Sequence, residues 1–229
     1  MNYDIYLFDL DGTLLDLGNI GSYSDQILVQ TLRKLKIDKF PNRSERKELW
    51  ISEKHFQNML NKWGIACSVN FWKYYDKTDF EERKILLKNK KISLFKDVKN
   101  VLELIYTHKE NKKLAICTNT SDYIVDFFLI HFKIKKYFQE IFSMGATPQE
   151  YAKPSPNGIL TILKKFEFNS QNQTALMIGD SIHDIKAAKK AKISSCLINR
   201  HLGKELEFYR HWDYQPDFII ENLFELCEL

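Results

Sequence analysis

The chain has 229 residues, of which 44% are hydrophobic and 14% aromatic, and its 34 basic and 30 acidic side chains leave a formal net charge of +4. That length suits one to two domains and the apolar share is ample for a core, which excludes wholesale disorder. No run approaches 18 uncharged apolar residues, which excludes a spanning helix and a membrane partner, and so small a basic excess argues against nucleic acid. The start, Met1-Asn2-Tyr3-Asp4, puts an acid where an export signal needs a base, so the following apolar residues read as a strand. The lysines from Lys84 to Lys91 read as a solvated face. Four cysteines, Cys67, Cys117, Cys196 and Cys227, lack metal or redox spacing. Three lie in apolar stretches, so buried free thiols in a reducing, cytoplasmic setting are expected. Only eight glycines occur, about half the average share.

In chain order, Tyr3–Phe8 reads as the first strand. Helical spacing of Leu, Ile, Trp and Phe follows over Ser24–Leu35, Glu45–Trp63 and Asn70–Leu87, with no convincing strand. A structureless loop of that length is implausible, so an all-helical insertion is expected. Helix Val98–His108, strand Leu114–Thr118, helix Tyr123–Phe132, strand Glu140–Met144 and helix Gly158–Phe166 come next. They are followed by strand Thr174–Ile178, helix Asp184–Lys190, strands Ser195–Ile198 and Asp217–Ile220, and a terminal helix Leu223–Leu229. Such alternation predicts an α/β fold, a parallel sheet with helices on both faces.

Ligands of open parallel sheets bind outside the carboxyl ends of the strands. Those ends carry Asp9-Leu10-Asp11-Gly12-Thr13, then Thr118-Asn119-Thr120, then Lys153-Pro154-Ser155-Pro156 in a loop, then Gly179-Asp180-Ser181-Ile182-His183-Asp184. Asp9 and Asp11, two apart in extended chain, are expected to project to one side, and Gly12 permits a tight turn after them. Asp180 and Asp184, four apart, are expected on one helix face. Four carboxylates with oxygen-only chemistry suit a hard ion such as Mg²⁺. His183 reads as a surface or supporting residue. Ser155-Pro156 reads as a helix N-cap followed by proline at the first helical position, leaving Lys153 at a helix mouth. A cation, an ammonium and the donors Thr118 and Asn119 around a carboxylate read as phosphoryl transfer through a covalent aspartyl-phosphate.

These four motifs, in this order from residue 4 to about 200, resemble those of the haloacid dehalogenase superfamily. The resemblance implies a Rossmann-like core over residues 1–15 and 95–229 and a C1-type helical cap over 16–94. It implies Asp9 as nucleophile, Asp11 as general acid/base, Thr118, Asn119 and Lys153 on phosphate, and Asp9, Asp11, Asp180 and Asp184 around Mg²⁺. The activity implied is a Mg²⁺-dependent, phosphoglycolate-phosphatase-like phosphatase acting on a small phosphorylated substrate, as a monomer or homodimer in the cytoplasm. A phosphomutase, or a non-catalytic interaction protein keeping the fold, stands as the alternative. Asp11 argues against a dehalogenase, which lacks it. The family often has glycine where this chain has Lys192. The aromatics Trp50, Phe56, Trp63, Phe71 and Trp72 read as the core of a small bundle rather than as a substrate pocket, and Arg43, Arg46 and Arg83 as surface residues.

Overall fold

A computed structural model describes residues 2–51, 55–108, 112–200 and 211–229. The chain divides into two compact units, Met1–Asp16 with Leu94–Leu229, and Leu17–Ser93. In the first unit six strands form one sheet: β1 (Ile5–Phe8), β4 (Lys113–Ser121), β5 (Glu140–Met144), β6 (Ala175–Gly179), β7 (Ser194–Ile198) and β8 (Phe218–Ile220). Their spatial order is β5-β4-β1-β6-β7-β8, and every pairing is parallel. Two short strands not foreseen, β2 (Leu15–Asp16) and β3 (Ser93–Leu94), pair as a separate two-stranded sheet.

β1 explains why the sheet is covered on both faces. Its Ile5, Tyr6, Leu7 and Phe8 are all buried without remainder, so both sets of alternating side chains need cover, as parallel sheets require. Ile5 and Leu7 pack with Ala115, Cys117 and Met177, beneath Ile159, Ile162, Ala187 and Ala188. The latter four belong to the helices α7 (Asn157–Lys165) and α8 (Ile182–Lys190). Among the described residues, α5 (Val98–His108) and α6 (Asp122–His131) are the other α-helices of this unit. The expected terminal helix is a 3-10 turn, Leu223–Cys227, too short to repay α-helix nucleation. Among the described residues no helix is long and apolar enough to cross a membrane.

The second unit is helical: α1 (Ile20–Lys34), α2 (Arg43–Ile51), α3 (Phe56–Lys62) and α4 (Ser68–Lys88). The expected segment Glu45–Trp63 is therefore two helices, and residues 52–54 between them lie outside the described residues. Trp63 and Phe71 are buried with Leu28, Leu32 and Leu60, while Trp50, Phe56 and Trp72 pack against them half-buried. The aromatic stripe is bundle core. Arg83 corrects the expectation of surface placement: it is buried, ion-paired to Asp79 at 2.9 Å, and its guanidinium lies over the Tyr23 ring. Burial of a charge is tolerated because Asp79 lies one helical turn away and is also held by the Tyr23 hydroxyl. Arg46 forks onto Asp25 at 2.7 and 2.9 Å, whereas Arg43 and Lys84, Lys88, Lys90 and Lys91 are exposed. The expectation for cysteine holds for Cys117 and Cys196 only; Cys67 and Cys227 are exposed, and all four are free.

Scarcity of glycine shows at the helix ends. Lys36, Lys90, Lys133, Glu167 and Lys192 each stand two residues past a helix, with φ between 51° and 59°. At Lys192 the amide donates to the Lys189 carbonyl and the Ile193 amide to that of Ala188, the Schellman pattern that favours glycine. The lysine that replaces the usual glycine thus occupies a left-handed position, which costs a side-chain-bearing residue about 1–2 kcal/mol. After allowing for glycine's larger entropy loss, Lys192→Gly is expected to raise stability by about 0.5–1 kcal/mol. Urea unfolding checks this, and a lowered midpoint would contradict it.

Candidate functional site

β1 lies at the centre of the sheet, between β4 and β6, where the direction of strand succession reverses. Residues just beyond the carboxyl ends of β1, β4 and β6 therefore meet at a topological switch point. Asp9 follows β1, and its amide donates to the Ile178 carbonyl at 2.9 Å. Asp9, Asp180 and Asp184 each present a carboxylate oxygen within 4.8 Å of the others. Lys153 reaches between them: its Nζ donates to Asp9 Oδ1 at 2.6 Å and to Asp184 Oδ1 at 2.5 Å. Lys153, Asp9 and Asp184 are all buried, with 7%, 7% and 1% of their surface exposed.

The supports of this cluster differ in part from those expected. Asp180 and Asp184 do not share a helix face, because α8 begins at Ile182 with Ser181 as its cap, leaving Asp180 outside the helix. A turn brings them together instead. Asp184 is the third residue of α8 and reaches back, accepting from the Ser181 amide at 3.1 Å and hydroxyl at 2.6 Å, a reciprocal cap. A side chain at position 179 would collide with the Asp184 carboxyl carbon, so only glycine allows this close approach. Lys153 is not a helix-mouth residue in the open, since α7 starts only at Asn157, with Pro156 in the capping position. Proline's lack of an amide hydrogen is harmless there, and Ser155 precedes the cap, accepting from the Asn157 amide at 3.4 Å.

Asp11 departs from the simple alternation. β1 ends at Phe8, and Asp11 stands in a turn where Gly12 takes φ 77° and the Gly12 amide donates to Leu15. Its Oδ2 accepts from the Thr120 hydroxyl at 2.6 Å, whereas Asp9 engages Lys153. Thr118 is buried and accepts the Thr120 amide at 3.3 Å. Both ends of the Asn119 side-chain amide are spent on the Lys153 backbone, donating at 2.9 Å and accepting at 2.7 Å. That side chain holds the lysine's main chain. His183 is half-exposed and is not one of the three clustered acids.

Charge in the cluster is unbalanced. Burial pushes the Asp9 carboxyl well above the usual carboxylate range, against the pull of Lys153, and Asp184 adds to the push. Asp184 and then Asp9 hold the Lys153 ammonium up despite its burial. Three clustered carboxylates beside one ammonium leave room for a divalent ion, and oxygen-only donors suit a hard one.

The family model of haloacid dehalogenase-like hydrolases matches residues 6–198, from within β1 to the end of β7. The chain belongs to this family. Across this hydrolase, a pyrophosphatase PpaX of Listeria welshimeri is 25% identical over 97% of this chain and 94% of the relative. A phosphoglycolate phosphatase of Pseudomonas fluorescens is 25% identical over 96% of this chain and 76% of its own length. In fold, the crystal structure of CbbY from Rhodobacter sphaeroides in complex with phosphate superposes with a TM-score of 0.69, at 20% identity, covering 98% of this chain and 96% of that one.

Three supporting residues of this hydrolase escape a reading by motif. Ser181 stands three before Asp184, a serine-to-acid spacing that signals a capping box. Thr120 carries no such signal. Arg200, at the end of β7, donates twice to the Thr13 carbonyl, at 2.7 and 3.2 Å, and pairs with buried Asp97 at 2.5 Å. It ties down the turn that follows Asp11, from 187 residues away in sequence.

Proposed function

We propose that this hydrolase is a Mg²⁺-dependent phosphatase, cleaving a small phosphorylated metabolite through an acyl phosphate formed on Asp9. The observation that carries this reading is the Lys153 ammonium set between Asp9 and Asp184, beside a third carboxylate at the switch point. A lysine so placed offsets part of the upward push that burial gives the Asp9 carboxyl, and draws in a dianion. Asp9 attacks phosphorus, forming the Asp9 oxygen–phosphorus bond as the bond to the leaving oxygen breaks. Asp11 protonates that leaving oxygen. Asp11 then takes a proton from water as the water attacks phosphorus, which frees phosphate and restores the Asp9 carboxylate. Thr118 and Lys153 hold the phosphoryl oxygens, and Asn119 holds Lys153. Asp9, Asp180 and the Asp11 backbone carbonyl would hold Mg²⁺, with Asp184 orienting Lys153 beside it. When bound, the ion would offset the charge of carboxylates and phosphate together.

The helical unit Leu17–Ser93 is read as a C1-type cap that sets specificity. Phosphoglycolate and inorganic pyrophosphate are the first compounds to try, since full-length relatives are named for acting on them. The buried free thiols Cys117 and Cys196 suit the reducing cytoplasm.

The test is phosphate release from p-nitrophenyl phosphate. Excess EDTA is expected to abolish it and added Mg²⁺ to restore it, with Ca²⁺ a poor substitute because its larger, looser shell misplaces the nucleophile. Full activity in EDTA would overturn the metal assignment. Phosphate passing to a second hydroxyl rather than to water would identify the phosphomutase alternative.

A further inference from the structure

Thr120 lies on the part of β4 where the ladder is irregular. β4 pairs with β5 in register through Cys117 and Phe142, and pairing resumes only at Ser121 and Met144. Four steps on β4 thus match two on β5, and Thr118, Asn119 and Thr120 fall within the surplus. Bulges of this kind re-aim side chains and recur beside active sites. Here all three re-aimed residues are used. Thr118 accepts the Thr120 amide two residues on, a local turn that sets the Thr120 backbone. Asn119 grips the Lys153 main chain. Thr120 turns its hydroxyl to Asp11.

The Thr120 hydroxyl donates to Asp11 Oδ2, which leaves the other carboxyl oxygen to carry and deliver a proton. At 2.6 Å the bond is short and holds that oxygen closely. Asp11 itself stands in a turn, outside the β1 ladder, so strand geometry does not set its carboxylate. A threonine hydroxyl on the neighbouring strand does.

We propose that Thr120 is a positioning residue for the reaction, its hydroxyl fixing the Asp11 carboxylate in the orientation from which Asp11 delivers a proton to the leaving oxygen. This rests on the role given to Asp11 above. Removing the hydroxyl leaves Asp11 present but loosely aimed. The loss therefore falls on proton delivery and not on substrate binding.

The experiment compares Thr120→Val, which keeps the shape and loses the hydroxyl, with Thr120→Ser, which keeps the hydroxyl. The substrates are glycerol 2-phosphate, whose leaving alkoxide needs a proton, and p-nitrophenyl phosphate, whose leaving group does not. Thr120→Val is expected to lower the rate of phospho-enzyme formation, read as pre-steady-state release of the leaving alcohol, about 10- to 100-fold on the first and only a few-fold on the second, part of the effect expected of a general acid. KM should change less than about twofold, and Thr120→Ser should recover most of the rate. In an Asp11→Asn background, Thr120→Val should add almost nothing, since the two residues act as one unit.

Equal losses on both substrates, no loss at all, or an undiminished loss in the Asp11→Asn background would overturn the proposal. If Asp11→Asn shows leaving-group dependence and Thr120→Val does not, only the role of Thr120 fails. If Asp11→Asn shows none, the role given to Asp11 fails, and that of Thr120 with it. Should valine lower the unfolding midpoint, the contrast between Thr120→Ala and Thr120→Ser on the two substrates decides the same question.

Discussion

Asp9→Asn is expected to abolish turnover while leaving the fold intact. The amide is nearly isosteric and can still accept from Lys153 Nζ, so the 2.6 Å contact at this buried position survives in altered form. It cannot attack phosphorus at a useful rate, because its oxygen lacks the carboxylate's charge. A loss of at least about 10³-fold is expected, since removal of a covalent nucleophile elsewhere costs as much or more. The variant should also lose any covalent phosphate. Wild-type protein quenched during turnover should carry a phosphate adduct by intact mass, released by hydroxylamine, and Asp9→Asn should carry none. Substantial steady-state activity in a pure Asp9→Asn preparation would sink the nucleophile assignment.

Lys153→Met should show the second large effect, and on two properties at once. Methionine fills the space of the lysine stem but leaves Asp9 and Asp184 buried and facing each other without the ammonium. Breaking a buried ion pair in this way costs about 3–5 kcal/mol at a pH where both acids are ionised. Activity should fall about 10²- to 10³-fold, the scale of a lost charge-stabilising donor. The stability loss depends on pH, with a definite sign. Burial already raises Asp9 from 3.8 to about 7, and a carboxyl raised on folding favours the folded state only while it stays protonated. That contribution is complete below pH 3.8 and vanishes as pH rises through the folded value. Without Lys153 the Asp9 carboxyl is pushed up further, so the deficit against wild type should be small near pH 4 and largest above pH 7. Thermal unfolding in chelated buffer at both pH values measures it. A deficit independent of pH would mean that lost packing, rather than unpaired charge, is responsible.

How far residues announce their own work depends on whether their partners are close in sequence. The Asp9-to-Thr13 and Gly179-to-Asp184 runs are local: an apolar strand ends, a glycine turns the chain, and acids follow. Such spacing is visible in one dimension. The spacing argument fails where the chain changes element within the motif. Asp180 and Asp184 suggest one helix face, yet Ser181 caps the helix between them. Asp9 and Asp11 suggest one side of a strand, yet β1 stops at Phe8.

By itself the sequence determined the alternation of strands and helices, the helical insertion and the order in which charged residues arrive at strand ends. Hydrophobic period and turn residues act over a few positions, and these features need nothing more. Only the tertiary structure decided which strand stands beside which, with β4 and β6 on either side of β1. On that neighbourhood depend the Lys153 bridge, spanning 144 residues to Asp9, the Thr120 bond spanning 109 to Asp11, and the Arg200 anchor spanning 187 to Thr13. Contacts of that range are set by burial and strand order, and no local pattern of residue types encodes them.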